Sequence, residues 1–238
     1  MTGTSPPNGL RSDAVRNRRL LLDAAAAELA EHGVDASIAQ IAARAGIGKG
    51  TVFRHFATKE QLVAAILQDK LDELAATGTS LLDCADPASA LLQFMTAGVE
   101  LHAHDRSFCQ AATGTTRSDP TIRAASDRLS KVAQALTDRA RQQGAVRDDI
   151  TGHDIVLLIG AACQAAAPVG DAAPDLWRRY TSLIFDGLRP EAAHPLPHPA
   201  PTSAQFTTPA TINEPTETTT EDQKLDARHR QPESHSAT

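Results

Sequence analysis

The sequence contains few cysteines and no long uninterrupted apolar run. Its three cysteines, Cys84, Cys109 and Cys163, are scattered along 238 residues without a CxxC spacing, which favours reduced thiols over disulfides. The longest apolar stretch, residues 155–169, is broken by glycine, glutamine and proline and is too short to span a bilayer. The first nineteen residues are polar and rich in arginine, unlike a signal peptide. These absences predict a cytoplasmic protein with no membrane partner.

Signatures of enzymatic chemistry are also missing. The sequence shows no paired carboxylates, nucleophile–base motif, glycine-rich phosphate loop or metal-ligand spacing. His102 and His104, with Asp105 or Cys109 nearby, are possible metal ligands by residue type. Residues two apart on a helix point to different sides, however, so the two histidines are poorly placed to bind one metal ion. No segment alternates with period two over a useful length, so strands are not expected. We therefore predict an all-α protein that is not an enzyme and holds no metal or cofactor.

Composition and periodicity divide the chain into regions. A first helix ends at Gly33, and a long helix follows over residues 63–76. Residues 191–238 contain seven of the fourteen prolines and nine threonines, and cannot bury enough apolar surface to offset their ordering entropy. Further helices are predicted over 87–104, 121–143, 151–166 and 174–188. The predicted regions are a disordered arm over 1–10, a small helical domain over 11–62, a larger helical domain over 63–190 and a disordered tail over 191–238.

Residues 37–62, SIAQIAARAGIGKGTVFRHFATKEQL, have the spacing of a helix-turn-helix followed by a capped helix. Ser37 is a suitable N-cap for a helix over 38–45, and Gly46 supplies the left-handed turn after it. Val52 pins a second helix, residues 49–55, to the core. The next helix opens with a Thr-Lys-Glu-Gln capping box. This arrangement predicts that the second helix lies in the DNA major groove.

Residue type and position assign roles in such an interface. Lys49 and Arg54 are long donors that reach guanine O6 and N7, and Gly50 permits close backbone approach. Arg44, His55 and Lys59 are predicted to contact phosphates, which fixes the register on DNA without reading its sequence. The backbone amides of Lys59 and Glu60, which open the following helix, can also hold a phosphate. The predicted DNA contacts are Arg44, Lys49, Gly50, Thr51, Phe53, Arg54, His55 and Lys59. Phe53 and Phe56 lie three apart on one helical face, a spacing more typical of core than of base stacking.

Charge is distributed in a way that fits DNA binding, although the whole chain is acidic. The formal net charge is -6. Residues 11–59 carry eight Lys or Arg and five Asp or Glu, whereas residues 60–190 carry twelve and seventeen, and the tail carries three and seven. The basic residues Arg11, Arg16, Arg18 and Arg19 form an arm. Two interpretations of this arm stay open, contact with the DNA backbone or minor groove, and simple solubilisation.

The run AGIGKGTVFRHFATKEQL resembles the amino-terminal domain of the TetR family of bacterial one-component repressors, and the likeness extends over residues 17–65. The spacing, the Gly50–Thr51 pair, the aromatic pair and the following lysine all agree with the family pattern. Gly48 stands where the family usually has a serine, as in a subgroup of actinobacterial regulators. The remainder resembles the family in layout, and WRRYTSLIFDGLRP is similar to the end of that subgroup.

One helix-turn-helix domain, here called the head, covers a single half-site of an operator. We therefore expect a homodimer on a pseudo-palindromic operator in double-stranded DNA. Two apolar stripes are candidates for its interface: Leu157, Leu158, Ala161, Ala162 and Ala165, and Leu176, Tyr180, Leu183, Ile184 and Leu188. Each stripe is also compatible with packing in its own core. The family resemblance favours an interface built as a four-helix bundle.

A small-molecule effector is the second expected partner. The candidate lining residues mix apolar walls with a few polar groups: Phe94, Met95, His102, Phe108, Cys109 and Gln110. Together these features predict a dimeric repressor released from its operator by a small molecule. The alternative is an effector-independent DNA-binding regulator or architectural protein, and activation rather than repression stays open.

Overall fold

The computed structural model describes residues 8–103, 119–170 and 172–202. No strand occurs in these ranges, which confirms the predicted all-α class. The α-helices are α1 (Asn8–His32), α2 (Ile38–Arg44), α3 (Lys49–His55), α4 (Lys59–Leu81), α5 (Pro87–Ala103), α6 (Pro120–Gln142), α7 (Gly152–Ala166) and α8 (Leu176–Gly187). The predicted helices are therefore confirmed, with most ends shifted by only one or two residues. Among the predicted functional residues, Phe108, Cys109 and Gln110 lie outside the described residues.

Local chemistry explains where the helices begin and end. Ser37 accepts a hydrogen bond from the Gln40 amide, and the Gln40 side chain accepts one from the Ser37 amide at 2.9 Å, so α2 opens with a capping box. Gly33 and Gly46 have φ of 60° and 66°, the left-handed conformation that glycine adopts without a Cβ penalty. Asp119 caps α6 by accepting from the Thr121 amide, with proline at the first helical position.

Two hydrophobic cores organise the described chain, and α4 contributes to both. The head core comprises Leu21, Leu22, Ala25, Leu29, Ala36, Ile41, Ala42, Val52, Phe56, Leu62 and Ile66, from α1 to the first turns of α4. The body core includes Leu74 and Ala75 of α4 and is completed by α5 to α8, with Phe94, Met95 and Trp177 at most 2% exposed. A third small cluster joins Ala64 and Leu67 of α4 to Ile122 of α6. One helix therefore carries the connection between head and body.

Close helix packing in the body depends on two glycines. A Cβ on Gly78 of α4 would lie 2.5 Å from Val132 Cγ1 and 2.8 Å from the Phe94 ring. A Cβ on Gly152, at the start of α7, would lie 2.3 Å from the backbone nitrogen of Gln134 in α6. The Gly152 amide also donates to Gln134 Oε1 at 2.8 Å. Both contacts require a residue without a side chain.

The segment Gly152–Val169 is long and apolar enough to cross a membrane by composition, with a mean hydropathy of 1.3. In the structure α7 packs against α5, α6 and α8 and contributes Ile155, Ile159 and Ala162 to the body core. A helix in the core of a helical domain has the same composition as a membrane span, because both bury apolar side chains. The place of α7 in the body accounts for its buried apolar residues, which are 33% of this segment.

An ion-pair cluster joins α1 to α2. Arg44 Nε donates to Glu28 Oε2 at 2.6 Å, and its terminal nitrogens donate to both carboxylate oxygens of Glu31. The Glu28 side chain is only 5% exposed, and its second oxygen lies 3.1 Å from His32 Nδ1. The hydrogen bonds that Arg44 donates to Glu31 and Glu28 raise the pKa of Arg44, and those accepted by Glu31 hold the pKa of that carboxyl below its usual range. We call Glu28, Glu31, His32 and Arg44 the α1–α2 ion-pair cluster.

The basic arm belongs to helix α1 rather than to a disordered extension. The helix begins at Asn8, so it includes all four arginines of the basic arm and also residues 8–10, which were predicted to be disordered. Arg19 donates to both carboxylate oxygens of Asp69 in α4, at 3.1 and 2.9 Å. The Arg18 guanidinium lies 4.8 Å from the Phe56 ring centroid. Both side chains are exposed, yet Arg19 connects α1 to α4 and Arg18 connects α1 to the residue that follows α3. Counting charges along the sequence does not predict these contacts.

The chain after α8 contacts the loop between α6 and α7, where the composition predicted a disordered tail from residue 191. The Arg147 amide donates to the Leu188 carbonyl at 2.8 Å, and the Arg147 guanidinium donates to the His194 carbonyl and to Asp149. The Arg147 side chain is 11% exposed. The Arg147 guanidinium therefore holds the backbone of this proline-rich segment at His194, and the disorder of residues 191–238 stays a prediction. Residues 203–238 lie outside the described residues.

Replacing Arg44 with alanine should lower the thermal unfolding midpoint, because the substitution leaves the Glu28 carboxylate buried without its cation. Arg54→Ala is the matched control, since Arg54 is exposed and lacks a carboxylate partner in the described part of the chain. The ion pair of Glu31 contributes to the free energy of unfolding above pH 4.5, and this contribution is lost as the pH falls through the lowered pKa of that carboxyl. Calorimetric melts from pH 7 down to acid measure both effects. Equal midpoints for the two variants would contradict a stabilising role for the cluster.

Two truncations should separate the anchored segment from the rest of the tail. A chain ending at Thr202 keeps the contacts of Arg147 and should melt like the full chain. A chain ending at Pro190 loses the His194 carbonyl as a partner of Arg147 and should melt at lower temperature. Circular dichroism melts of the three proteins test this. Identical melting of the two truncated chains would show that residues 191–202 contribute nothing to stability.

Candidate nucleic-acid interface

Helix α3 is held on the head by Val52 and by its C-cap Phe56, and it exposes Lys49, Gly50, Phe53 and Arg54. Val52 is fully buried in the head core and Phe56 is 5% exposed. Gly48 precedes the helix with extended backbone, φ −74° and ψ 147°, but has no side chain to cap it. The amides of Thr51 and Val52 donate instead to the Gly48 carbonyl. The helix therefore depends on its tertiary contacts more than on a cap, and the side opposite Val52 faces outward.

The exposed side of α3 carries the predicted base-reading residues. Lys49, Gly50 and Arg54 are exposed, whereas Thr51 and His55 are half-buried. No carboxylate pairs with Lys49 or Arg54 within the described residues. A Cβ on Gly50 would meet no atom within 4 Å, so the backbone there is open to a ligand. This surface combines two uncompensated cations with an accessible backbone, which is what close approach to an anionic polymer requires.

The aromatic pair separates into one core residue and one surface residue. Phe56 belongs to the head core, as predicted. Phe53 is 53% exposed, so the prediction that it lies in the core is wrong. Because α3 ends at His55 and the backbone becomes extended at Phe56, the two rings do not keep the relation of residues on one continuous helix. Phe53 instead shares the outer side of α3 with Arg54 and is available for an apolar contact.

The start of α4 uses most of its free amides internally. The Gln61 amide donates to Thr58 Oγ1 at 3.2 Å, and Gln61 Oε1 accepts from the Ala57 amide at 2.9 Å, one residue earlier than a standard capping box. The Glu60 carboxylate bonds its own amide and the Thr58 hydroxyl, which lowers its pKa. A carboxylate at this position competes with a phosphate for the Glu60 amide. Lys59, half-buried in the first turn, keeps its predicted place beside the interface.

Arg44 differs from the other predicted DNA contacts, because its guanidinium is paired with two carboxylates of α1. Glu28 and Glu31 take hydrogen bonds from all three of its nitrogens. We therefore assign Arg44 to the α1–α2 ion-pair cluster rather than to phosphate. The ligand atoms of Glu28, Glu31 and His32 also lie within 4.8 Å of one another, a spacing compatible with a metal ion. The Arg44 cation bonds both carboxylates and already offsets one of their two negative charges.

The described candidates for effector binding lie on α5. Phe94 and Met95 are 0% exposed and belong to the body core. His102 is half-buried, and its Nδ1 lies 2.7 Å from the Gly98 carbonyl oxygen one turn earlier. Sequence reasoning missed a cleft at the junction of α1, α4 and α5, because its walls come from three helices that are brought together only by packing.

Comparison with known proteins matches both halves of this architecture. Residues 21–66 match the family model for bacterial regulatory proteins of the tetR family, and residues 86–190 match the SbtR-like transcriptional regulator C-terminal domain. The repressor Rv1474c of Mycobacterium tuberculosis, described as an HTH-type transcriptional repressor, is 27% identical over 179 residues, which are 72% of this chain and 79% of that protein.

Solved structures give the same result. A TetR transcription regulatory protein from Mycobacterium vanbaalenii is 31% identical with a TM-score of 0.59, and the match covers 76% of this chain and 99% of that one. FadR from Bacillus subtilis, solved in complex with stearoyl-CoA, shares the fold at 16% identity, with a TM-score of 0.57 over 74% of this chain and 99% of that one. The family models match both the helix-turn-helix head and the helical body, and the M. vanbaalenii regulator matches this chain over 99% of its own length. This chain belongs to the TetR family of DNA-binding transcriptional regulators.

Proposed function

We propose that the protein is a cytoplasmic homodimeric repressor that binds a pseudo-palindromic operator and is released by a small-molecule effector. The observation that carries the proposal is the outer side of α3, a helix fixed by Val52, where Lys49 and Arg54 are exposed and have no carboxylate partner among the residues that the structure describes. Long donors at such positions reach guanine O6 and N7 in the major groove. The head is also the one region in which basic residues outnumber acidic ones.

Thr51, Phe53 and His55 complete the proposed interface. The exposed Phe53 ring is suited to an apolar contact with a thymine methyl or a sugar, since it has no hydroxyl to donate to phosphate. Thr51 and His55 are half-buried at its edges and offer polar contacts to the backbone. Lys59 adds a cation beside them at the start of α4. These contacts position the helix, while Lys49 and Arg54 read bases.

The dimer interface is proposed on α7 and α8. Leu157 is 54% exposed and Leu183 is 52% exposed, and Ala161 and Ala165 extend the exposed apolar face of α7. The other predicted stripe residues divide between surface and core, since Ala162 and Leu188 are buried in the body. Large exposed leucines on two adjacent helices are costly in a monomer and are covered when two copies pack as a four-helix bundle.

Release by an effector follows from the shared helix α4. A ligand that favours one body conformation shifts the head through α4 and lowers DNA affinity by its differential binding to the two states. FadR of B. subtilis binds stearoyl-CoA on the same fold, which supports a ligand-responsive body. The effector contacts proposed here are Phe94, Met95, His102, Phe108, Cys109 and Gln110. The complete burial of Phe94 and Met95 favours the second candidate, an effector-independent regulator, and thermal-shift screening of metabolites distinguishes the two.

Lys49→Ala and Arg54→Ala should each weaken specific operator binding by roughly 1–3 kcal/mol and relax base preference at the contacted positions. Lys131→Ala is the matched control, because this exposed lysine lies on α6 in the body. Footprinting on the DNA flanking the gene supplies the operator, and fluorescence anisotropy on operator variants gives the affinities. An unchanged preference among operator variants for both head substitutions would remove them from base readout.

Leu157→Glu and Leu183→Glu should convert the dimer to a monomer, because each introduces a charge into the proposed four-helix interface. Leu196→Glu is the matched control, since Leu196 is 48% exposed but lies outside α7 and α8. Analytical ultracentrifugation measures the association, and affinity for the two-fold operator should fall by roughly tenfold or more in the monomers. Dimers that persist in both glutamate variants would place the interface elsewhere.

A further inference from the structure

Two neighbouring arginines of the basic arm differ in whether a carboxylate pairs with them. Arg19 donates to both carboxylate oxygens of Asp69 and also lies 3.1 Å from Asp23, so two acidic groups compensate its charge. Arg18 is exposed and forms no ion pair with a carboxylate among the residues that the structure describes. Helix α1 therefore presents a cation that an external anion can bind.

The position of Arg18 on α1 brings its guanidinium to the edge of the head core. Leu21 and Leu22 are buried in that core, and residues three and four apart share one side of a helix. The Arg18 guanidinium lies 4.8 Å from the centroid of the Phe56 ring, which is a cation–π distance. Phe56 is only 5% exposed and belongs to the head core, so its ring is a fixed support. This contact restricts where the guanidinium can lie.

The Phe56 ring connects Arg18 to the proposed DNA-binding surface. Phe56 directly follows His55, the last residue of α3, and the centroids of these two rings are 6.5 Å apart. The Glu60 carboxylate, in the first turn of α4, bonds its own amide and the Thr58 hydroxyl rather than Arg18. When a recognition helix lies in the major groove, the phosphate backbone runs along the edges of that groove. A cation beside the end of α3 is therefore placed for a phosphate.

We infer that Arg18 donates to a phosphate of the operator backbone and that the Phe56 ring positions its guanidinium for this contact. A planar guanidinium offers paired N–H donors that match two oxygens of one phosphate. Phosphates carry no sequence information, so the contact adds affinity without adding base preference. This role rests on the proposed function, because it needs α3 in the major groove, and it adds a contact from α1 to those proposed above.

Arg18→Gln should weaken binding to the footprinted operator and to its single-base variants by the same factor, roughly twofold to tenfold. The slope of log K against log salt concentration should become shallower by about 1, as expected for the loss of one phosphate contact. Arg19→Gln is the matched control and should keep the wild-type slope, because Arg19 is already paired with Asp69. Fluorescence anisotropy of labelled duplexes with the full chain, from about 50 to about 200 mM salt, measures both quantities.

Arg18→Lys separates the charge of the side chain from its shape. Lysine keeps the positive charge but has no planar group to stack on Phe56, so this variant should retain the wild-type salt slope and bind more weakly than wild type. A lower melting temperature for Arg18→Gln with an unchanged salt slope would show that Arg18 only stabilises the head, and this would overturn the inference. An equal loss of slope in Arg19→Gln would also overturn it.

The wild-type chain separates this inference from the proposed function. If wild-type affinity for the operator falls with salt and Arg18→Gln keeps the same slope, only the role of Arg18 is overturned. If the wild-type chain binds no operator, or binds it without salt dependence, the proposed function fails and the role of Arg18 fails with it.

Discussion

The structure depends on one helix being shared by two hydrophobic cores. Leu62 and Ile66, in the first half of α4, are buried in the head, and Leu74 and Ala75, in the second half, are buried in the body. Ala64 and Leu67 pack on Ile122 at the start of α6 and hold the middle of α4 from another side. Helix α4 is therefore a continuous element that packs in both cores, and the release proposed above depends on it.

The position of the recognition surface follows from this arrangement. Helix α3 is only two turns long and is not capped by a side chain, so it is marginal as an isolated helix. Val52 and Phe56 hold it against a head whose α1 and α2 are joined by Arg44 and Glu28. The charges proposed to contact DNA and the charges that join the helices of the head are thus different residues. Lys49 and Arg54 are exposed on α3, whereas Arg44 is bonded to Glu28 and Glu31 of α1.

Much of the fold was predictable because its signals are local. The Ser37 cap, the left-handed Gly46 and the apolar period of 3.6 each act within one or two helical turns, and they determine the bounds of α2 and α3 almost to the residue. The base-reading candidates followed from the same spacing. The roles of Arg44, Arg18 and Arg19 did not, because their partners Glu28, Phe56 and Asp69 are brought close by helix packing. The contact of Arg147 with His194 similarly spans 47 residues.

The sequence by itself determined the all-α class, the order of helices and the presence of a helix-turn-helix domain in the head. It did so because helix caps, glycine turns and amphipathic periodicity are encoded in short segments. Only the tertiary structure decided which exposed charges are free, that Phe53 is a surface residue and Phe56 a core residue, and that a cleft exists between α1, α4 and α5. Those properties depend on distances between helices, and no local pattern in the chain specifies them.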